Sequence, residues 1–308
     1  MAANVETMMY VRETPWHGLG TRVEEAPNSE EALKLAGLDW EVNQQEVMTN
    51  GIIIPNYKAN VRSSDGKVLG IVTDKYKIVN NKDAFSFTDN LIGGDVKYET
   101  AGSLYGGKKV WMLAKLPETK VVGDETIPYV CFTNNHDGTG AVKAIMTPIR
   151  VVCNNTLNLA LSQAKRQWSM IHTGNLESKL EDARITLEFA EKYMYELDKK
   201  GNELANITIN EEKFNEILEA LFPINEEKDT ERKINNVKEL RNEFQIAYFM
   251  PDISKFRNTG WGMINAMSDI ITHNKPKRSS ATFQENNFGR IIDGHYMMDM
   301  LYKMLQNV

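Results

Sequence analysis

Cysteine is scarce: the 308 residues hold two, Cys131 and Cys153. Two thiols support neither a disulfide framework nor a zinc site built from three or four thiolates, and they suit a reducing compartment. Long apolar runs are also missing. No stretch approaches the ~20 apolar residues of a membrane span. The opening MAANVETMMYVRETPW lacks the basic start and apolar core of a secretory signal, so a cytoplasmic protein is expected. The sequence has no GxxxxGKS/T, no Rossmann GxGxxG, no HExxH and no GxSxG. No cofactor is therefore expected, and no enzymatic machinery stands out. Internal repeats and low-complexity segments are absent too.

What is present is an ordinary globular composition, 42% hydrophobic and 25% charged, with room for one large or two ordinary domains. The formal net charge of −6 hides a pattern. Residues 53–115 carry 10 Lys and Arg against 6 Asp and Glu, and residues 141–184 carry 6 against 3. The flanks are acidic: 3 against 9 over residues 1–52, and 9 against 15 over residues 185–250. Because salt limits the reach of a field to about 8–10 Å, the local excess matters more than the total.

The first half reads as hairpins. Asp65-Gly66 joins YKANVR to VLGIVTDKYKIV, and Gly106-Gly107 separates two further extended segments. TIPYVCFTNN and GAVKAIMTPIRVVC form a third pair around NHDGTG. Short helices are expected at EEALKLAG and KDAFSFTDNLIGG. After CNN, the segment TLNLALSQ reads as a helix with Asn154 and Asn155 at the strand-to-helix turn, where Asn can cap free N–H groups. The second half is helical. Leu176, Leu180, Ala183, Leu187, Ala190, Met194, Leu197 and Leu204 form a heptad seam, fit for assembly with another copy or for a bundle within one chain. A capping box at Thr208–Glu211 opens a helix that Pro223 stops. Two more helical patterns end near Phe249 and span Gly260 to His273. The fold class expected is α+β: an antiparallel, hairpin-rich curved sheet with crossing helices in residues 1–168, then a mainly helical region in residues 169–308.

Three motifs could carry chemistry. PWHGLG sets Trp16 and His17 beside two glycines, as a ligand-touching loop or as a structural turn with the indole in the core. NNHDGTG presents His136 and Asp137 together, as metal ligands or, with more weight, as the residues a turn demands. Cys153 ends an apolar strand, where burial outweighs a role as nucleophile. A fourth pattern suits binding. Lys75, Tyr76 and Lys77, then Tyr105, Lys108, Lys109 and Trp111, then Arg150, Lys165, Arg166 and Trp168 mix cations with rings, as a single-strand groove does. The competing reading has the cations solvating a sheet while the rings pack inside it.

The order PWHGLG, TDKYKIVNNKDAF, TAGSLYGGKKVWMLAKLP, TNNHDGTGAVKAIMTPIRVVCNNTLNLAL, HTGN and GWGMINAMSDIITH resembles an uncharacterised phage/plasmid-like protein domain family. That resemblance implies a mobile-element origin and brings no established activity. The run of a short helix, GLDWEV, a strand and a hairpin around Ser-Asp-Gly also resembles, in topology, the single-strand annealing proteins of recombination. It implies a homo-oligomer that holds single-stranded DNA in a basic groove without ATP or catalytic residues. Two other functions are open: a mobile-element protein that blocks a host defence complex through protein binding, and a metal-dependent hydrolase using His17, His136 and Asp137.

Overall fold

The computed structural model describes residues 5–11, 20–92, 96–150, 155–156, 167–173, 175, 177–273 and 294–308. The class is α+β, with two open sheets and a helical C-terminal region. In chain order the strands are β1 (Val5–Val11), β2 (Thr21–Val23), β3 (Val42–Thr49), β4 (Ile52–Arg62), β5 (Val68–Thr73), β6 (Tyr98–Leu104), β7 (Lys109–Lys115), β8 (Thr119–Val121), β9 (Asp124–Asn135), β10 (Val142–Arg150), β11 (Asn155–Thr156) and β12 (Gln167–Met170). The helices are α1 (Ser29–Leu35), α2 (Asn81–Ile92), α3 (Leu180–Ala205), α4 (Glu211–Leu221), α5 (Glu231–Tyr248), α6 (Gly260–His273) and α7 (Tyr296–Leu305). The larger sheet runs β11-β10-β9-β7-β6-β1-β2, with β12 also on β10 and β8 on β9. The smaller is β3-β4-β5.

Turn chemistry sets the hairpins. Gly66 between β4 and β5 has φ +72°, and Tyr105, Gly106 and Gly107 between β6 and β7 have φ +55°, +66° and +87°. Glycine enters that left-handed region without a Cβ clash, so both reversals form where the sequence places them. Asn28 caps α1 in a reciprocal box: its side chain accepts from Glu31 N (3.0 Å), and Glu31 Oε2 accepts from Asn28 N (3.2 Å). The cap orients a helix whose Ala32 enters the core. Replacing Asn28 with Ala should destabilise the protein by about 1 kcal/mol, read as a lower urea midpoint at unchanged slope.

Two apolar clusters share elements. One joins the large sheet to α1 and α2 and takes Trp168, Met170 and Ala183 from the chain beyond. The other fills the helical region and takes Val121 and Met146 from the sheet. β12 runs across residue 168, the expected boundary. Of the heptad seam, Ala183, Met194, Leu197 and Leu204 are buried in these clusters, inside the chain, while Leu176 and the side chains of Leu180, Leu187 and Ala190 lie outside what is described.

Three expectations change. Asn155 and Thr156 do not open a helix; they pair antiparallel with Arg150 and Ile149, because the chain reverses as a strand onto the edge of β10. The expected helix at TLNLALSQ falls mostly on residues 157–166, outside the described residues. Thr208 does not cap α4. Asn210 does, accepting from Lys213 N at 2.8 Å, while Thr208 bridges to Thr259. Trp168, expected to close a helix, lies in β12 opposite Ala144.

Candidate functional site

The β6–β7 turn, the β9–β10 turn and the β4–β5 turn gather at one end of the large sheet. Pairing of Lys109 with Asn135 sets the first two side by side, and His136 N donates to Lys108 O at 2.7 Å. The third is tied in by Arg62. Its guanidinium makes two bonds to Glu6 on β1 (2.6 and 2.9 Å) and two to Asp65 in the turn (2.6 and 2.9 Å). Each bidentate pair fixes orientation as well as charge. Hydrogen bonds donated to Asp65 and Glu6 hold Arg62 protonated, and the same bonds hold Glu6 below the usual carboxylate range. The cation is thus cancelled locally while it locks the small sheet to the large one.

Between the turns lies a cleft of about 780 Å³, lined by Lys67, Tyr105, Lys108, Lys109, Asn135, Asp137 and Thr139. Three ammonium groups from two hairpins face one carboxylate there. Asp137 Oδ1 accepts from Thr139 N (2.9 Å) and Thr139 Oγ1 (2.7 Å), which holds it at the rim. Excess positive charge in a concave site is what a polyanion needs.

Beneath the cleft is a buried polar cluster. His136 is fully buried, donates Nε2–H to Asn81 Oδ1 at 3.1 Å and meets Trp40 edge-on at 5.3 Å. Asn60 Nδ2 donates to the His136 carbonyl at 2.7 Å, and Asn134 Nδ2 donates to Val79 O at 2.7 Å. Burial pushes the His136 imidazole down to about 3, so the ring is neutral at physiological pH. His172 Nδ1 donates to Lys77 O at 3.0 Å, and burial lowers its pKa as well. These groups join the β9–β10 turn to the small sheet and to the segment before α2.

The candidate binding residues divide. Lys108 and Lys109 line the cleft, together with Lys67. The sequence pattern missed Lys67, although its place one residue past Asp65-Gly66 put it at a hairpin tip. Lys75 is exposed but lies outside that lining, and Lys77 borders a second cleft of about 710 Å³ with Asp83, Phe87 and Glu177. Tyr76 is no free platform: its ring stacks on His172 at 4.4 Å, and its hydroxyl donates to Asn135 O at 2.6 Å. Trp168 is 8% exposed and stacks on Phe87 at 5.4 Å. Trp111 is buried and donates Nε1–H to Thr100 at 2.9 Å. All three rings take the interior role: β7 and β12 turn Trp111 and Trp168 inward, and the segment after β5 lays Tyr76 on His172. Arg150 stands at the far end of β10, opposite Thr126, eight residues or about 26 Å from Val142. Lys165, Arg166, His17 and Cys153 lie outside the described residues.

Residues 68–290 match the family described as a domain of unknown function, DUF932. The chain belongs to that family. The matched DUF932 region contains Lys108, Lys109, His136 and helices α2 to α6, while α1, β3, β4 and Lys67 precede it. No curated protein and no solved structure matches the chain significantly. Among the described residues no helix is long and apolar enough to cross a membrane. Among the same residues, no group of three or more His, Cys, Asp or Glu is placed to hold a metal ion.

Proposed function

We propose that the chain is a phage- or plasmid-encoded protein that binds single-stranded DNA in recombination or replication, in the cytoplasm of its host. The observation that supports this reading is the meeting of Lys67, Lys108 and Lys109, from two hairpins, in one cleft between three turns. The rings of Tyr76, Trp111 and Trp168 are committed to the interior and Tyr105 alone of the four candidate rings lines the cleft, so the grip is chiefly on phosphates. Such binding is electrostatic, tolerant of sequence and steeply dependent on salt.

Fluorescence anisotropy with a labelled oligonucleotide at two ionic strengths tests it. Three phosphate contacts predict a slope of log K against log salt of about −2 for a single strand. Reversing charge in the pair K67E/K108E should weaken binding about tenfold or more and flatten that slope. Absence of binding by the wild-type chain at low salt removes the reading.

One observation favours a second reading. The outer face of α4 exposes Glu211, Glu212, Glu216 and Glu219, within one of the two acidic stretches of the chain. A surface of that sign suits docking on a basic host protein such as a subunit of a defence complex. Stoichiometric co-purification of a host protein, with no DNA bound, would favour it over the first.

A further inference from the structure

The two edges of the small sheet are treated differently. The edge of β5 is covered by the β9–β10 turn, where Asp137 packs on Gly70 and Gly138 on Val72. Among the described residues, no strand pairs with the outer edge of β3. Free edges are normally guarded by lysine, proline or an inward charge. The sequence of β3, VNQQEVMT, has no lysine and no proline, and its single charge, Glu46, is ion-paired with Lys58 on β4. A register shift between Glu46 and Met48 is the one irregularity.

Backbone direction shows which groups are available. Glu41 and Ser63 exchange backbone and side-chain bonds across the start of the hairpin, whereas Val42 N is turned away from β4 and donates to Asn80 Oδ1 at 2.8 Å. With the two-residue period of a strand, the N–H groups of Gln44 and Glu46 point the same way as that of Val42. They form a short outward row whose one neighbouring lysine, Lys58, is engaged by Glu46.

The adjoining surface is apolar. Met48, Ile52 and Ile53 at the hairpin tip are 60%, 69% and 51% exposed, and Tyr57 and Ile71 are 46% and 52% exposed. The registers Gln45–Ala59–Ile71 and Tyr57–Thr73 put Tyr57 and Ile71 on one face with no acidic or basic side chain, while Met48 opposes Ile53 at the tip and Ile52, the residue before it, points to the other side. A charge-free face offers nothing to a charged partner, nucleic acid included. It meets its own image about a twofold axis without repulsion, and an antiparallel strand edge is self-complementary about the same axis.

We propose that β3 pairs antiparallel with β3 of a second copy, joining two small sheets into one six-stranded sheet. The twofold passes through Gln45. That register sets Gln44 opposite Glu46 of the second copy, whereas a twofold at Glu46 would oppose two carboxylates. The hairpin tip then carries Met48 alongside the start of β3 in the second copy. This assembly is independent of the nucleic-acid reading, and the seam residues Ala183, Met194, Leu197 and Leu204, buried within their own chain, have no part in it.

Light scattering coupled to size exclusion, on the full chain without nucleic acid at tens of micromolar, tests the proposal. The wild type should have twice the chain mass. Gln45→Lys and Gln45→Glu each place like charges at the axis and should run as monomers with an unchanged far-UV spectrum. An equimolar mixture of the two variants should recover the doubled mass. A monomeric wild type overturns the proposal. So do single variants that remain dimeric, and so does a mixture that stays monomeric.

Discussion

Lowering the pH from 7 to 4 should sharply reduce stability, and His136 should account for most of the loss. Its imidazole is held neutral by burial with a pKa of about 3 in the folded chain, against the ordinary 6.5. A depressed histidine pKa means that the unfolded chain takes a proton the folded chain refuses. Its contribution is flat above about pH 7 and falls by about 1.4 kcal/mol per pH unit between 6.5 and 3, or about 4 kcal/mol by pH 3.5. His172, lowered by burial too, acts in the same direction. The carboxylates of Glu6 and Asp65 are held below their usual range by Arg62, so they lose their stabilising effect only at lower pH. Urea midpoints at pH 7, 6, 5 and 4 separate the two windows. The variant His136→Gln, which keeps a donor for Asn81, should flatten the upper window. An unchanged wild-type midpoint between pH 7 and 4.5 would show that His136 titrates normally.

That window bears on the cleft as well. His136 is the residue before Asp137, and its N–H bonds the carbonyl of Lys108. Protonating it inside the junction would disturb the two turns that carry Lys108 and Asp137. Oligonucleotide affinity should therefore fall below pH 5 together with stability, and Lys67→Glu should not alter the pH at which that happens.

Much of the fold could be read from local pattern. Gly66, Gly106 and Gly107 gave their hairpins away because a left-handed turn leaves few other choices of residue. The α6 pattern, Gly260 to His273, needed only its apolar period. What local pattern could not supply was the partner of each element. Asn154-Asn155 before a leucine-rich run has the composition of a helix start, yet Asn155 pairs with Arg150, because an edge of β10 stood open beside it. Tyr76 between two lysines has the composition of a stacking platform, yet its ring belongs to His172, which lies 96 residues further along the chain. The site shows the same division. Lys108 and Lys109 were found through their clustering in sequence, and Lys67 was missed because only the packing of two turns brings it to them. Arg150 failed for the opposite reason: the length of β10 carries it away from the turns.

The second large effect is steric. Gly70→Val should destabilise the protein by about 3 kcal/mol, the upper end of the usual cost of overpacking. A Cβ at Gly70 would lie 2.5 Å from Asp137 Cα and 2.6 Å from its carbonyl oxygen. Those are backbone atoms of the β9–β10 turn, so no rotamer change relieves the contact. The turn is also pinned from both sides, by Asn60 on the His136 carbonyl and by His136 N on Lys108 O. Either the small sheet separates from the turn, or the turn shifts and carries Asp137 and Thr139 out of the cleft. Both outcomes lower the melting temperature, and they differ in hydrogen exchange. Separation exposes amides of β4 and β5 together with the 134–140 turn, whereas a shifted turn exposes the turn alone. Gly66→Ala provides the contrast. No atom lies within 4 Å of a Cβ there, so its cost comes only from φ +72°. That should be about 1 kcal/mol and should leave the turn protected. A Gly70→Val protein as stable as the wild type would mean that the close approach of β5 to Asp137, and with it the junction beneath the lysine cleft, is absent in solution.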